Sequence, residues 1–320
     1  MSFERCFLKE NLEMVFINDK GIAKIEPRWD EEAYFSCPIC GGTRHGESID
    51  ARGYRRLTPC PGEYTLRRIE RFNLACIPGR FKDVTFDSYN TSVIGHSATS
   101  VVGYMNKVRK YQTGMKGILF EGGPGTGKTH LLCATARYLT LELGVSVRYV
   151  DYSQLLSDIR ASYGRQDGFG RQDAGPTEAD FIASMVNIPV LLLDELGKGR
   201  AETSDFENRI IDAIINGRYQ NPDLTTIFAS NFRDRVMSGY DTLLREGLTS
   251  DSIGNSKAWQ DYLKKFSIKR SDEEMTRIQR IFKAEHLENR VSERVMSRIF
   301  EMANPVYIDA GDYRRRVIKS

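Results

Sequence analysis

A glycine-rich segment, EGGPGTGKTH at residues 121–130, follows a short apolar run and precedes the helix-like sequence HLLCATARYLTLEL. Gly122 and Gly127-Lys128-Thr129 have the G-x-x-x-x-G-K-T spacing of a loop that wraps phosphates with backbone N–H groups. Lys128 is expected to contact the β and γ phosphates, and the Thr129 hydroxyl to bind Mg²⁺. The predicted nucleotide-contacting residues are Gly122, Gly123, Pro124, Gly125, Thr126, Gly127, Lys128, Thr129, His130 and Asp194.

Two acids end a second apolar segment, VLLLDE at residues 190–195. Asp194 is predicted to support Mg²⁺ at the carboxyl end of a strand, and Glu195 to polarise the attacking water. A third segment, TTIFASN, ends in Asn231, whose amide is suited to orient water near the γ phosphate. Because a second acid beside the magnesium carboxylate suits water activation, the sequence favours an ATPase over a small-molecule kinase.

Three of the six cysteines have spacing typical of a metal site. Cys37-Pro-Ile-Cys40 is followed by two glycines, a tight turn that presents two thiolates to one tetrahedral ion. Cys60 is the expected third ligand of a structural Zn²⁺. The fourth ligand is open among Cys76, His45 and Cys6, with Cys76 included in the predicted set.

Composition limits the remaining possibilities. The chain has 320 residues, of which 40% are hydrophobic and 28% charged, as in a soluble globular protein. No apolar stretch approaches the roughly 20 residues of a membrane span, so we expect a cytoplasmic protein. The net charge of +3 is small, so any nucleic-acid contact must come from a local basic patch.

The order of apolar segments indicates an α/β fold. Near-continuous apolar strands separated by helical sequences predict a parallel sheet that is covered on both faces. The predicted strands are 117–121, 146–151, 189–194 and 225–230, with a fifth at 306–310. We expect a small N-terminal module at 1–85, an ATPase domain at 86–320, a surface loop at 164–178 and a helical insertion at about 235–290.

GxxGTGKTHL, VLLLDELG, ENRIIDAIINGRYQN, TTIFASN and the C-terminal segments SERVMSR and DYR together resemble the bacterial helicase loaders of the DnaC type and the related IstB transposition ATPases. These belong to the AAA+ class, and the resemblance covers roughly residues 66–231 and 290–316. It implies that arginines complete the nucleotide site, one of them from the adjacent subunit of a ring or spiral. The matching positions are Arg298 in trans, with Arg294 as its competitor, and Arg314 in cis.

The same resemblance implies a binding surface for single-stranded DNA. Arg160 and Tyr163 match one contact element and lie three residues apart, hence on one helical face. Ser204 and Phe206 match a second contact segment, near the basic residues Lys198 and Arg200. The alternative is that Tyr163 packs under a loop and that the basic residues are merely exposed.

Three functions remain open at this point. The first is an ATP-dependent helicase loader that holds single-stranded DNA and binds the replicative helicase through its N-terminal module. The second is an IstB-like regulator that assembles on duplex DNA and recruits a transposase. The third is an interaction protein that binds nucleotide without turnover.

Overall fold

The computed structural model describes residues 13–28, 37, 40–166, 176–198, 204–232, 287, 290–308 and 312–313. The core of the predicted 164–178 loop, nearly all of the predicted 235–290 insertion, and the positions Cys6, Arg200 and Arg314 lie outside these residues. No helix in the described part of the chain is long and apolar enough to cross a membrane.

The N-terminal part contains two antiparallel hairpins and a helix. The hairpins pair β1 (Glu13–Asp19) with β2 (Ile22–Arg28), and β3 (His45–Ile49) with β4 (Arg55–Pro59). Helix α1 (Pro61–Leu74) follows, with proline in its first turn, where a missing N–H costs nothing.

The rest of the described chain alternates helices and strands. The helices are α2 (Ala98–Arg109), α3 (Lys128–Arg137), α4 (Tyr152–Gln166), α5 (Glu178–Val186), α6 (Asp205–Tyr219) and α7 (Glu293–Met302). The strands are β5 (Gly117–Glu121), β6 (Val147–Asp151), β7 (Val190–Asp194), β8 (Thr225–Ser230) and β9 (Ala303–Tyr307).

These five strands form one parallel sheet in the order β6-β7-β8-β5-β9. Successive residues of a strand point to opposite faces, and β7 shows this clearly. Leu192 belongs to one buried cluster, with α2 and α3, whereas Leu191 and Leu193 belong to a second, with α4, α6 and α7. The predicted parallel sheet with helices on both faces is therefore confirmed.

The fifth strand is present, but its predicted bounds at 306–310 are wrong. It begins directly after α7, and it pairs residue by residue with β5, from Gly117↔Ala303 to Glu121↔Tyr307. Pairing with the neighbouring strand, rather than apolar content, sets these bounds. Pro305 is tolerated there because β9 is an edge strand.

The N-terminal part shares a core with the sheet. Ile25 of β2 and Phe72 of α1 lie in the same buried cluster as Leu131 of α3. Asn73 fastens α1 to β2, because its side chain accepts from the Ile25 N–H at 2.7 Å and donates to the Ile25 carbonyl at 3.0 Å. The division at residue 85 stays a prediction, since described residues on both sides pack together.

The amino-terminal edge of the sheet is held by a buried arginine, Arg218 of α6. Its guanidinium donates at 2.7 Å to the carbonyls of Met185 and Thr225, and Nε donates at 2.7 Å to the Thr226 hydroxyl. Further bonds reach Ile188 and Pro189. Burial lowers the pKa of Arg218 to about 10, which still leaves it charged at neutral pH.

Arg218→Leu is expected to lower the free energy of unfolding by about 3 kcal/mol or more, because each buried carbonyl left without a donor costs roughly 1–3 kcal/mol. Denaturant titration measures this loss. Arg209→Leu, an exposed arginine on the same helix, is the control and should cost under about 1 kcal/mol. If Arg218→Leu lowers the free energy of unfolding no more than the control does, the hydrogen bonds of Arg218 do not stabilise this edge of the sheet.

Candidate nucleotide-binding site

The glycine loop between β5 and α3 adopts backbone conformations that favour glycine. Gly125 and Gly127 have φ values of 77° and 88°, in the left-handed region. A Cβ at Gly127 would lie 2.5 Å from the Tyr89 ring, so a side chain there is excluded by space as well as by conformation. No side chains of these glycines therefore cover the loop backbone before α3, where helix N–H groups are available to an anion.

Lys128, at the first position of α3, is buried against this loop. Its ammonium group donates to the carbonyls of Gly122 and Gly123, both at 2.8 Å. These bonds hold the charge at the loop that is predicted to wrap phosphates. A phosphate oxygen is a stronger acceptor than a carbonyl, because the bond is charge-assisted on both sides.

Thr129, at the start of α3, contacts Asp194, the last residue of β7. The Thr129 hydroxyl donates to Asp194 Oδ2 at 2.7 Å, and the Glu195 N–H donates to Oδ1 at 2.9 Å. A hydroxyl and a buried carboxylate form a hard oxygen donor set of the kind that Mg²⁺ prefers beside substrate phosphates. The residues present therefore fit magnesium.

Glu195 lies next to this pair and has a left-handed backbone, with φ of 55°. Its carboxylate forms an ion pair with Lys198, and this hydrogen bond raises the pKa of the lysine. Asn231 follows the end of β8 and lines the same cavity as Glu195. The predicted water-activating acid and water-orienting amide thus share one site with the glycine loop.

A cavity of about 510 Å³ joins these groups. Besides the predicted residues, it is lined by side chains from the segment before α2 and from the chain end, namely Arg80, Phe81, Ser88, Tyr89, Asn90, Val93, Ile94 and Tyr313. None of these residues was predicted from the sequence, because the segment before α2 carries no motif of recognisable spacing. The aromatic residues Phe81 and Tyr89 within it were the available signal.

His130 connects that segment to α3. Its Nε2 lies 3.0 Å from the Ser88 hydroxyl and 3.1 Å from the Thr85 carbonyl. Burial lowers the pKa of His130, which favours the neutral ring. The Tyr89 hydroxyl also donates to the Thr126 carbonyl at 2.9 Å, so this wall of the cavity is bonded both to α3 and to the glycine loop.

The predicted arginines of α7 lie apart from this cavity. Arg298 donates to Asp212 of α6 at 2.8 Å and is mostly buried, whereas Arg294 lies 3.6 Å from the same carboxylate and is largely exposed. Among the described residues that line the cavity, neither arginine is present.

The predicted DNA-contacting residues converge on one surface. The Arg160 guanidinium lies 4.9 Å from the centre of the Phe206 ring, and Tyr163 packs edge-on against the same ring. Ser204 instead caps α6, since its hydroxyl accepts from the Glu207 N–H. We call Arg160, Tyr163, Phe206 and Arg209 the aromatic–arginine cluster.

Arg209 is a member that the sequence analysis missed. It donates to the Tyr163 hydroxyl at 3.3 Å and to Glu178 at 3.0 Å. Arg160 likewise pairs with Glu207 at 2.9 Å. Two acids thus neutralise two arginines, and a phosphate backbone would have to displace them.

The model of one protein family, the IstB-like ATP binding proteins, matches residues 68–234 of the chain. This match covers more than half of the sequence and includes the glycine loop, Asp194, Glu195 and Asn231. The chain belongs to the DnaC/IstB-like AAA+ family. ATP binding is thereby established at the level of the family.

Curated relatives of this IstB-like chain include the replicative helicase loader DnaC of Buchnera aphidicola subsp. Baizongia pistaciae. It is 26% identical over 211 residues, which are 63% of this chain and 81% of the relative. DnaC of Escherichia coli K12 is 26% identical over 151 residues, 46% of this chain and 55% of the relative. The chain thus spans about half the length of the E. coli protein.

Solved structures with a similar fold include the DnaC helicase loader, with a TM-score of 0.45 and 24% identity over 72% of this chain and 99% of that one. A putative primosome component from Streptococcus pyogenes serotype M3 has a TM-score of 0.45 and 20% identity, over 77% and 96% of the two chains. Similarity at this level carries no argument about activity.

In this IstB-like chain, Cys37, Cys40 and Cys60 form a buried cluster whose sulfur atoms all lie within 4.8 Å of one another. The Cys37 and Cys60 sulfurs are 3.8 Å apart. Zn–S bonds of about 2.3 Å place the sulfurs of a tetrahedral site about 3.8 Å apart, so this spacing fits zinc. Cys60 is the residue that directly precedes α1, so the helix fixes its position in the cluster.

Cys76 does not belong to this cluster, which corrects its place in the predicted ligand set. It lies beyond the other end of α1, and a 14-residue helix separates its two ends by about 21 Å. Among the described residues, His45 is also outside the cluster. Of the three candidates for a fourth ligand, Cys6 falls outside the described residues.

Purified protein is expected to contain one zinc ion per chain, measured by elemental analysis. Cys40→Ser should lose it, because one of three converging thiolates is removed, whereas Cys76→Ser should retain it. Cys76 is the matched control, since it is a thiol beyond the far end of α1. Zinc loss in the Cys76 variant alone would contradict the assignment.

Proposed function

We propose that this protein is an ATP-dependent helicase loader that holds single-stranded DNA and delivers a replicative helicase during DNA replication. The observation that carries the ATPase part is the contact between Thr129 and Asp194, with Glu195 adjacent, at one wall of a cavity of about 510 Å³. The choice of helicase loading rests on the names of the curated relatives, which are replicative helicase loaders.

In the proposed ATPase, the loop N–H groups and Lys128 bind the phosphates. Thr129 and Asp194 would hold Mg²⁺, which when bound would neutralise phosphate charge. Glu195 accepts a proton from the attacking water, and Asn231 orients that water. For Glu195 to act, its carboxylate must leave the ion pair with Lys198.

Self-association into a ring or spiral is part of the proposal. Arg298 is proposed to complete the nucleotide site of the neighbouring subunit, with Arg294 as its competitor, and Arg314 to act within the same chain. The position of Arg298 away from its own cavity supports a role in trans. A guanidinium suits this role because its fork matches the spreading charge of the transferred phosphate.

Single-stranded DNA is proposed to bind at the aromatic–arginine cluster. A cation beside an exposed aromatic ring suits backbone tracking combined with base stacking. Two members of the cluster, Phe206 and Arg209, lie near the start of α6. They follow soon after Lys198, which contacts Glu195. The N-terminal part, with its proposed structural Zn²⁺, is the proposed surface for the helicase.

Glu195→Gln is expected to bind ATP normally, to lose at least about 100-fold in turnover, and to retain a replicative helicase from the same organism in an ATP-dependent complex. Glutamine keeps the shape of the side chain but cannot accept the proton. Nucleotide binding, phosphate release and co-purification of the two proteins measure the three effects.

Glu142→Gln, an exposed acid outside the cavity, is the control for this experiment. Wild-type protein that binds ATP without any turnover would instead support a nucleotide-gated interaction protein. Failure of Glu195→Gln to retain the helicase in the presence of ATP would reject the proposal that the protein is a helicase loader.

Tyr163→Ala is expected to weaken binding to an oligo-dT strand about fivefold or more, because Tyr163 is an exposed ring of the cluster and base stacking on an aromatic ring contributes roughly 1–3 kcal/mol. Fluorescence anisotropy in ATP and Mg²⁺ measures this, with a duplex of equal length alongside. Tyr54→Ala is the control, because Tyr54 is also an exposed tyrosine and lies outside the cluster. Preference for the duplex would favour the alternative, an IstB-like regulator that recruits a transposase.

A further inference from the structure

We infer that Tyr149 is a positioning residue for Asp194, the carboxylate proposed to hold the magnesium of the bound nucleotide. The inference rests on the proposed function and adds a residue to that site. Tyr149 lies on β6, the edge strand next to β7. Its hydroxyl donates to Asp194 Oδ2 at 2.8 Å.

The bond makes Tyr149 the second hydroxyl donor to one carboxylate oxygen. Thr129 donates to the same Oδ2 at 2.7 Å, so both lone pairs of this oxygen are used. Within the described part of the chain, Oδ1 accepts one bond, from the Glu195 N–H, and keeps further acceptor capacity. The carboxylate is therefore fixed through one oxygen by hydroxyl groups from two different segments.

Burial makes these donors important. Asp194 is 2% exposed and Tyr149 7% exposed. An ionised carboxylate out of water is stable only where donors replace its hydration.

The position of the ring is itself fixed. The backbone N–H of Tyr149 donates to the Ala75 carbonyl at 2.8 Å, just beyond the end of α1. The ring packs in the buried cluster that contains Cys133 of α3. Because both the backbone and the ring of Tyr149 are fixed, its hydroxyl restricts the orientation of Asp194 more than a mobile side chain would.

The simpler interpretation is that Tyr149 is a core tyrosine whose hydroxyl needs an acceptor. The two interpretations differ in their effect on magnesium. A packing residue affects stability alone, whereas a positioning residue affects the gain in nucleotide affinity that Mg²⁺ produces.

Tyr149→Phe removes one oxygen atom and leaves the ring. The affinity of the full-length protein for a fluorescent ATP analogue is measured in EDTA and across a Mg²⁺ titration. In EDTA the variant should match the wild type, while the Mg²⁺-dependent gain in affinity should fall about tenfold, the loss typical of a hydrogen bond to a charged group.

Tyr104→Phe is the matched control. Tyr104 is buried in the same cluster, and its hydroxyl bonds to Thr135 rather than to the site. Thermal unfolding of both variants monitors the fold. An unchanged Mg²⁺-dependent gain in Tyr149→Phe, or an equal fall in Tyr104→Phe, would overturn the inference.

Failure of the inference and failure of the proposed function give different results. If wild-type protein shows no Mg²⁺-dependent binding of the analogue, the proposed ATPase is wrong. If wild type shows it and the Tyr149 variant retains it, only the role of Tyr149 is wrong.

Discussion

The hydrogen bond between Thr129 and Asp194 is the contact on which the candidate site depends. It joins the start of α3 to the end of β7, two segments that are distant in sequence. A parallel sheet makes this contact possible, because the carboxyl ends of its strands meet at one edge. The glycine loop, Glu195 and Asn231 all lie at that edge, around one cavity.

The carboxyl and amino ends of the strands differ in what their polar groups bind. At the carboxyl edge, polar groups remain available to a ligand, and the glycine loop keeps its backbone open. At the other edge, Arg218 donates to backbone carbonyls and leaves that end closed. Unsatisfied carbonyl groups would be costly there, so these carbonyls stabilise a fully buried cation that has no carboxylate partner among the described residues.

Helix α1 connects the cysteine cluster with the sheet. Cys60 stands before its first residue, and the Ala75 carbonyl beyond its last residue accepts from Tyr149 of the edge strand. Phe72 of the same helix is fully buried in the core beside α3. The N-terminal part is thus attached to the nucleotide-binding part by packing and by backbone hydrogen bonds.

The sequence by itself determined the groups that carry chemistry and the type of fold. The glycine loop, Asp194 and Glu195 could be located because a phosphate-binding loop requires fixed residue types at fixed spacing and two acids end an apolar strand. Four of the five strands were predictable because both faces of the sheet are buried, which demands continuous apolar runs.

Only the tertiary structure decided which residues surround these groups. Tyr89 and Phe81 line the cavity, Tyr149 contacts Asp194, and Arg209 joins Arg160, although none of these lies at a spacing that the sequence marks. Cys76 was separated from the other cysteines by the length of a helix, and β9 was shifted by its pairing with β5. Contacts between distant segments depend on how elements pack, and a local pattern does not encode that packing.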